Sequence, residues 1–164
     1  MAEDDIYGSK RKYLKFKANL DEFLTPPSAS DRCRKYYCKN KENLQYFKQL
    51  FTHFESIDLS FIRRLRILQS FRFIVNYSTK KLPELERSDI NQIMAFMHNT
   101  YNRPKSKETF VRDFKHTWKK LFPELDEKGR QDETIVPYVV RHISGKVDKS
   151  KEKLRQDKFT LDEF

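Results

Sequence analysis

The sequence predicts an all-α domain, and three observations carry that prediction. Apolar residues recur at three- and four-residue spacing in four successive segments between Asn43 and Leu121, the period of helices with one buried face. No segment shows the two-residue alternation of a half-buried strand. Only three glycines occur in 164 residues (Gly8, Gly129 and Gly145), and none lies in that central part. A glycine-rich phosphate cradle or dinucleotide fingerprint has no place to form.

The elements follow in order. Tyr13, Phe16, Leu20 and Phe23 are spaced i, i+3, i+7 and i+10, which reads as one helix. Thr25-Pro26-Pro27-Ser28 ends it, because proline cannot continue the hydrogen-bond ladder. Ser30 is a candidate cap for a helix running through Cys33 and Tyr37, and whether Lys39-Asn40 breaks it is open. Leu44, Phe47, Phe51 and Phe54 then form the stripe of the first of four central helices. Asp58-Leu59-Ser60 caps the second, with stripe Phe61, Leu65, Leu68 and Val75, and with Arg63 and Arg66 on roughly the opposite side. Leu82-Pro83 connects to a third, capped by Ser88 and carrying Ile90, Ile93, Met94 and Met97. Asn102-Arg103-Pro104 breaks the chain, and Ser106 caps the fourth, with stripe Val111, Phe114, Trp118 and Leu121. Leu125 to Thr134 is polar. The apolar run Ile135 to Val140 contains Pro137 and is expected to pack back as an extended segment. Gly145 to Lys158 reads as a lysine-rich linker. The expected organisation is a helical arm over 1–39, a four-helix core over 40–125, and an extended segment with linker over 126–164.

Charge is distributed unevenly along this plan. The net charge is +10. Residues 1–39 hold nine Lys/Arg against six Asp/Glu, residues 40–125 sixteen against nine, and residues 126–164 nine against nine. The excess sits on the folded part, and a basic surface on a rigid scaffold attracts a polyanion, with nucleic acid the obvious one. On the fourth central helix, Lys105 and Lys107 stand at the start, where free backbone N–H groups also favour a phosphate. Arg112, Lys115 and Lys119 follow along one face. Arg63 and Arg66 supply a second basic edge. The candidate DNA-binding set is therefore Arg63, Arg66, Lys105, Lys107, Thr109, Arg112, Lys115 and Lys119, with Thr109 and Arg112 best placed for base edges. Phe110, Phe114 and Trp118 share a face with Val111 and Leu121, which assigns them to the core rather than to base stacking.

Other chemistry finds little support. Cys33 and Cys38 stand alone in a C-x4-C spacing, and His53, His98, His116 and His142 are scattered, so zinc lacks its ligand pattern and free thiols are expected. No nucleophile–base arrangement or paired-acid pattern stands out, so no catalytic residue, metal or cofactor is assigned. No secretory segment and no apolar run of about 20 residues occurs, which leads to the expectation of a soluble, cytoplasmic protein without a membrane partner.

Several short motifs, taken in order, resemble a known family. They are Leu59-Ser60-x-x-Arg63, Leu85-Glu86-Arg87-Ser88-Asp89-Ile90, Ser106-x-x-Thr109, and Phe114-x-x-x-Trp118 ahead of Pro123. Val136-Pro137, the charged linker and Phe159-Thr160-Leu161-Asp162-Glu163-Phe164 follow. Together they resemble the N-terminal core-binding domain of tyrosine recombinases, the phage-type integrases, with most similarity to archaeal members. The resemblance covers roughly residues 43–164 and does not include residues 1–39. It implies a four-helix SAM-like bundle forming half of a clamp around double-stranded DNA at a recombination site, with its second and fourth helices facing the major groove. It further implies a prokaryotic, nucleoid-associated protein of a mobile element, acting in DNA integration and recombination. The run ending at Phe164 resembles the entry to the family's catalytic domain. None of that domain's arginines, histidines or tyrosine nucleophile is matched here, so this chain is expected to bind DNA without cutting it. It should be monomeric alone and assemble with other subunits on DNA through the absent domain. Two other classes stay open: a stand-alone DNA-binding regulator of a mobile element, and a helical protein-interaction module.

Overall fold

The structure is a computed structural model that describes residues 7–28 and 36–146. Six α-helices and three short 3-10 turns account for most of them, so the fold is all-α. The helices are α1 (Ser9–Ala18), α2 (Gln45–Ser56), α3 (Phe61–Tyr77), α4 (Arg87–Thr100), α5 (Pro104–Leu121) and α6 (Tyr138–Arg141). The predicted stripes are the buried ones. Phe47, Phe54, Leu68, Val75, Ile90, Met97 and Phe114 are fully enclosed, while Phe61, Leu65 and Leu121 pack at the margin. Phe110 and Trp118 are core residues as well.

α3 is the central element. It packs between α1 and α5, and buried residues appear on most of its girth. Aromatic rings tie it to its neighbours: Phe71 meets Phe47 of α2 at 4.8 Å, and Phe73 meets Phe110 of α5 at 5.3 Å. Arg64 is the unexpected member of this core, only 5% exposed. Its guanidinium lies over the rings of Phe61 and Tyr13, at 4.5 and 5.0 Å, and its Nε donates to the Leu59 carbonyl at 2.6 Å. Buried charge is tolerated there because ring faces and a carbonyl replace the lost water.

The N-terminal segment differs from the expected arm. One helix over Tyr13 to Phe23 was predicted; instead α1 stops at Asn19, whose backbone N–H and side-chain amide both donate to the Lys15 carbonyl. A 3-10 turn, Leu20–Leu24, follows. The change of pitch still buries Tyr13, Leu20 and Phe23, and Phe16 packs on Phe47 at 5.6 Å. Residues 9–24 therefore share the main core, which spans the expected boundary at 39/40. The expected helix through Tyr37 is absent from its described part. Tyr36–Cys38 is irregular, with the Cys38 N–H bonded to the Phe23 carbonyl at 2.7 Å; Ser30 and Cys33 lie outside the described residues. Cys38 is a free thiol, and burial pushes it up to about 11.

Three predicted caps change as well. Ser60 occupies the N-cap of α3, but its side chain makes no capping bond. α4 starts at Arg87, so Ser88 lies inside it, and the Asp89 carboxylate closes the turn by accepting the Glu86 N–H at 3.0 Å. α5 starts at Pro104, which needs no N–H partner in the first turn, so Ser106 is likewise internal. The polar stretch after α5 forms an antiparallel pair, β1 (Glu124–Leu125) and β2 (Gln131–Asp132). Gly129 takes φ +74° in its turn. The run Ile135 to Val140 does return to the core by burying Val140, but its last three residues open helix α6 rather than continuing an extended segment, and Ile143 just beyond the helix is buried as well. Pro137 sits at its N-cap, where a proline ring obstructs nothing. From residue 147 onward, the predicted linker and terminal motif lie outside the described residues.

Candidate nucleic-acid interface

The three helices that pack side by side also hold the charge. α1, α3 and α5 carry five, four and six Lys/Arg against two acids, more than the chain's whole excess of +10. The two acids are Glu108 and Asp113, both on α5. Four bases elsewhere are paired locally, Lys80 with Asp89, Lys81 with Glu42, Arg130 with Asp126 and Arg141 with Glu124, and four on these helices are paired too, Lys17 with Glu55, Arg64 with Asp58, Arg66 with Asp113 and Lys120 with Glu133. By contrast, among the described residues no ion pair within 4.0 Å engages Arg63, Lys105, Lys107, Arg112, Lys115 or Lys119.

Not all of the predicted residues share one surface. Lys105, Thr109, Arg112 and Lys119 fall along one side of α5, at the ~100° per residue of a helix. Arg63 is exposed on α3 beside them, its charge acting on both Asp113 and His116. Lys107 points to the other flank, where its charge lowers the pKa of His98 on α4 after the larger effect of burial. Lys115 sits toward the α6 end and acts similarly on His142. Arg112 donates to the Thr109 hydroxyl at 3.3 Å, coupling the two residues assigned to base edges.

Arg66 is held rather than free. Its Nε and Nη2 donate to the two carboxylate oxygens of Asp113, at 3.3 and 3.2 Å. Asp113 is 2% exposed, and burial raises its pKa against the lowering effect of Arg66. The pair therefore positions the guanidinium at the surface while its remaining N–H donors stay available.

Two grooves run along α3. The first, about 430 Å³, is lined by Ser9, Lys12 and Phe16 of α1 and by Ile62, Leu65, Arg66, Gln69 and Arg72 of α3. The second, about 650 Å³, lies between α3 and the start of α5 and includes Arg66, Gln69, Arg103, Lys105 and Thr109. Arg66 and Gln69 line both and so stand between them. Sequence reading did not place α1 at this surface, although the cluster Lys10-Arg11-Lys12 was the signal for it.

A histidine pair borders the basic face. The rings of His53 (α2) and His116 (α5) lie 5.7 Å apart, and the His53 Nε2 is buried without a hydrogen-bond partner among the described residues. Burial lowers both pKa values; the charge of Lys120 adds to this at His53, and those of His53, Lys120, Lys119 and Arg63 add to it at His116. The unfolded chain therefore takes up protons first as pH falls through 6.5, the ordinary value, and stability should decline there. Urea midpoints measured across that range should flatten in the double variant His53→Gln/His116→Gln; an unchanged pH slope would contradict the assignment.

Among the described residues, no His/Cys/Asp/Glu group could hold a metal ion, and no helix is long and apolar enough to cross a membrane. No known protein family, curated protein or solved structure matches the chain.

Proposed function

We propose that this chain binds double-stranded DNA as the core-binding half of a site-specific tyrosine recombinase. The observation that carries DNA binding is the three-helix face of α1, α3 and α5, fifteen Lys/Arg against two acids, on which Arg63, Lys105, Arg112 and Lys119 stand outside any ion pair among the described residues. A surface of that kind gains affinity by releasing counterions condensed on a phosphate backbone. The recombinase assignment is supported by the motif order around α3, α4 and α5 and rests on that resemblance. In this reading Lys105, Lys119 and Arg63 meet phosphates, Thr109 and Arg112 reach base edges, and strand cleavage belongs to a separate catalytic domain.

The test is a titration of the full chain against a random-sequence duplex at increasing salt. Log affinity should fall linearly with log salt, and Arg63→Gln should reduce the slope by about 0.9 while Lys81→Gln leaves it unchanged. No binding at low salt, or binding indifferent to salt, would refute the proposal and favour a protein-interaction module.

A further inference from the structure

One wall of the groove between α1 and α3, formed by Ser9, Lys12 and Phe16, lies outside the segment that carries the recombinase resemblance. We infer that this groove seats a second phosphate backbone of the same duplex, making α1 a DNA-contacting helix. The inference rests on the DNA-binding reading above and extends it to residues 9–16.

Composition comes first. α1 is ten residues long with five bases and no acid, and α3 contributes four arginines and no acid. Lys17 is committed to Glu55, while Lys12 is exposed on the groove wall. Across from it stands Arg72, stacked 4.9 Å over Phe16 with no carboxylate paired to it among the described residues. Arg66 is fixed by Asp113 between the two sides. The groove therefore offers cations on both walls with nothing anionic lining it.

Spacing supports the choice of occupant. Arg66 and Gln69 separate this groove from the one leading to Lys105 and Thr109, so the two lie on adjoining flanks of one helix. A helix with its side chains measures ~10–12 Å, and the two backbones bordering a DNA major groove are ~12 Å apart. In this inference a duplex that meets the α3–α5 groove with one strand places its other strand at the α1–α3 groove.

The experiment compares Lys12→Gln with Lys15→Gln and Lys105→Gln in the full chain, using a random-sequence duplex over a salt series. Lys15 lines a separate surface with Leu14 and serves as the control on the same helix. Lys12→Gln and Lys105→Gln should each lower the salt slope by about 0.9, and Lys15→Gln should not. An effect of Lys105→Gln without one of Lys12→Gln overturns the inference and leaves DNA binding standing. Equal losses for Lys12→Gln and Lys15→Gln overturn it too, since a diffuse field needs no groove. Failure of the unmodified chain to bind at low salt removes both readings.

Discussion

Phe47→Ala is expected to lower the free energy of unfolding by about 3–5 kcal/mol, a large part of the ~5–15 kcal/mol that holds a typical domain folded. Phe47 is fully buried, and its ring meets Phe16, Phe23 and Phe71 at 5.6, 5.4 and 4.8 Å. It is the point where the N-terminal segment, α2 and α3 join, so the cavity would open at a junction that cannot collapse around one helix. Urea denaturation of the variant, beside Leu14→Ala, measures this. Leu14 is 48% exposed on α1, and its truncation should change stability by less than about 0.5 kcal/mol. Similar losses for the two would show that the N-terminal segment does not share the core.

The second large effect concerns binding. Neutralising Lys105, Arg112 and Lys119 together should reduce the salt slope of duplex binding by about 1.8, from the two lysines assigned to phosphates, with Arg112 changing base preference instead. The matched control neutralises Lys80, Lys81 and Arg130, which changes net charge equally but at bases already paired with Asp89, Glu42 and Asp126. Should both triple variants lose the same slope, net charge alone would explain the attraction and the face on α5 would have no special role.

The stripes of α2, α3, α4 and α5 were legible because burial on one side of a helix writes its period directly into the chain. Caps were less legible. Ser88 and Ser106 have the right chemistry, but the Asp89 carboxylate at one helix and Pro104 at the other start the turn earlier. Contacts between distant residues left no local trace at all. Tyr13 reaches Glu55, 42 positions away, and Arg66 reaches Asp113, 47 positions away. The candidate bases on α3 and α5 could be named from their spacing. That Lys107 faces another way follows from the same spacing, about 200° round α5 from Lys105, whereas that α1 stands beside them depends on how the helices pack.

Under the proposed DNA binding, the Arg66–Asp113 pair bears on how binding energy is divided. A long basic side chain carries roughly 2 kcal/mol of rotamer entropy, much of which is surrendered when it is immobilised against a ligand. Lys105 and Lys119 face that loss at the moment of contact. Arg66 has already met most of it during folding, because a buried carboxylate fixes its plane. The lysines suit long-range attraction, where a wandering charge is no handicap and approach is fast. The arginine suits alignment, as a fixed peg against which the polyanion comes into register.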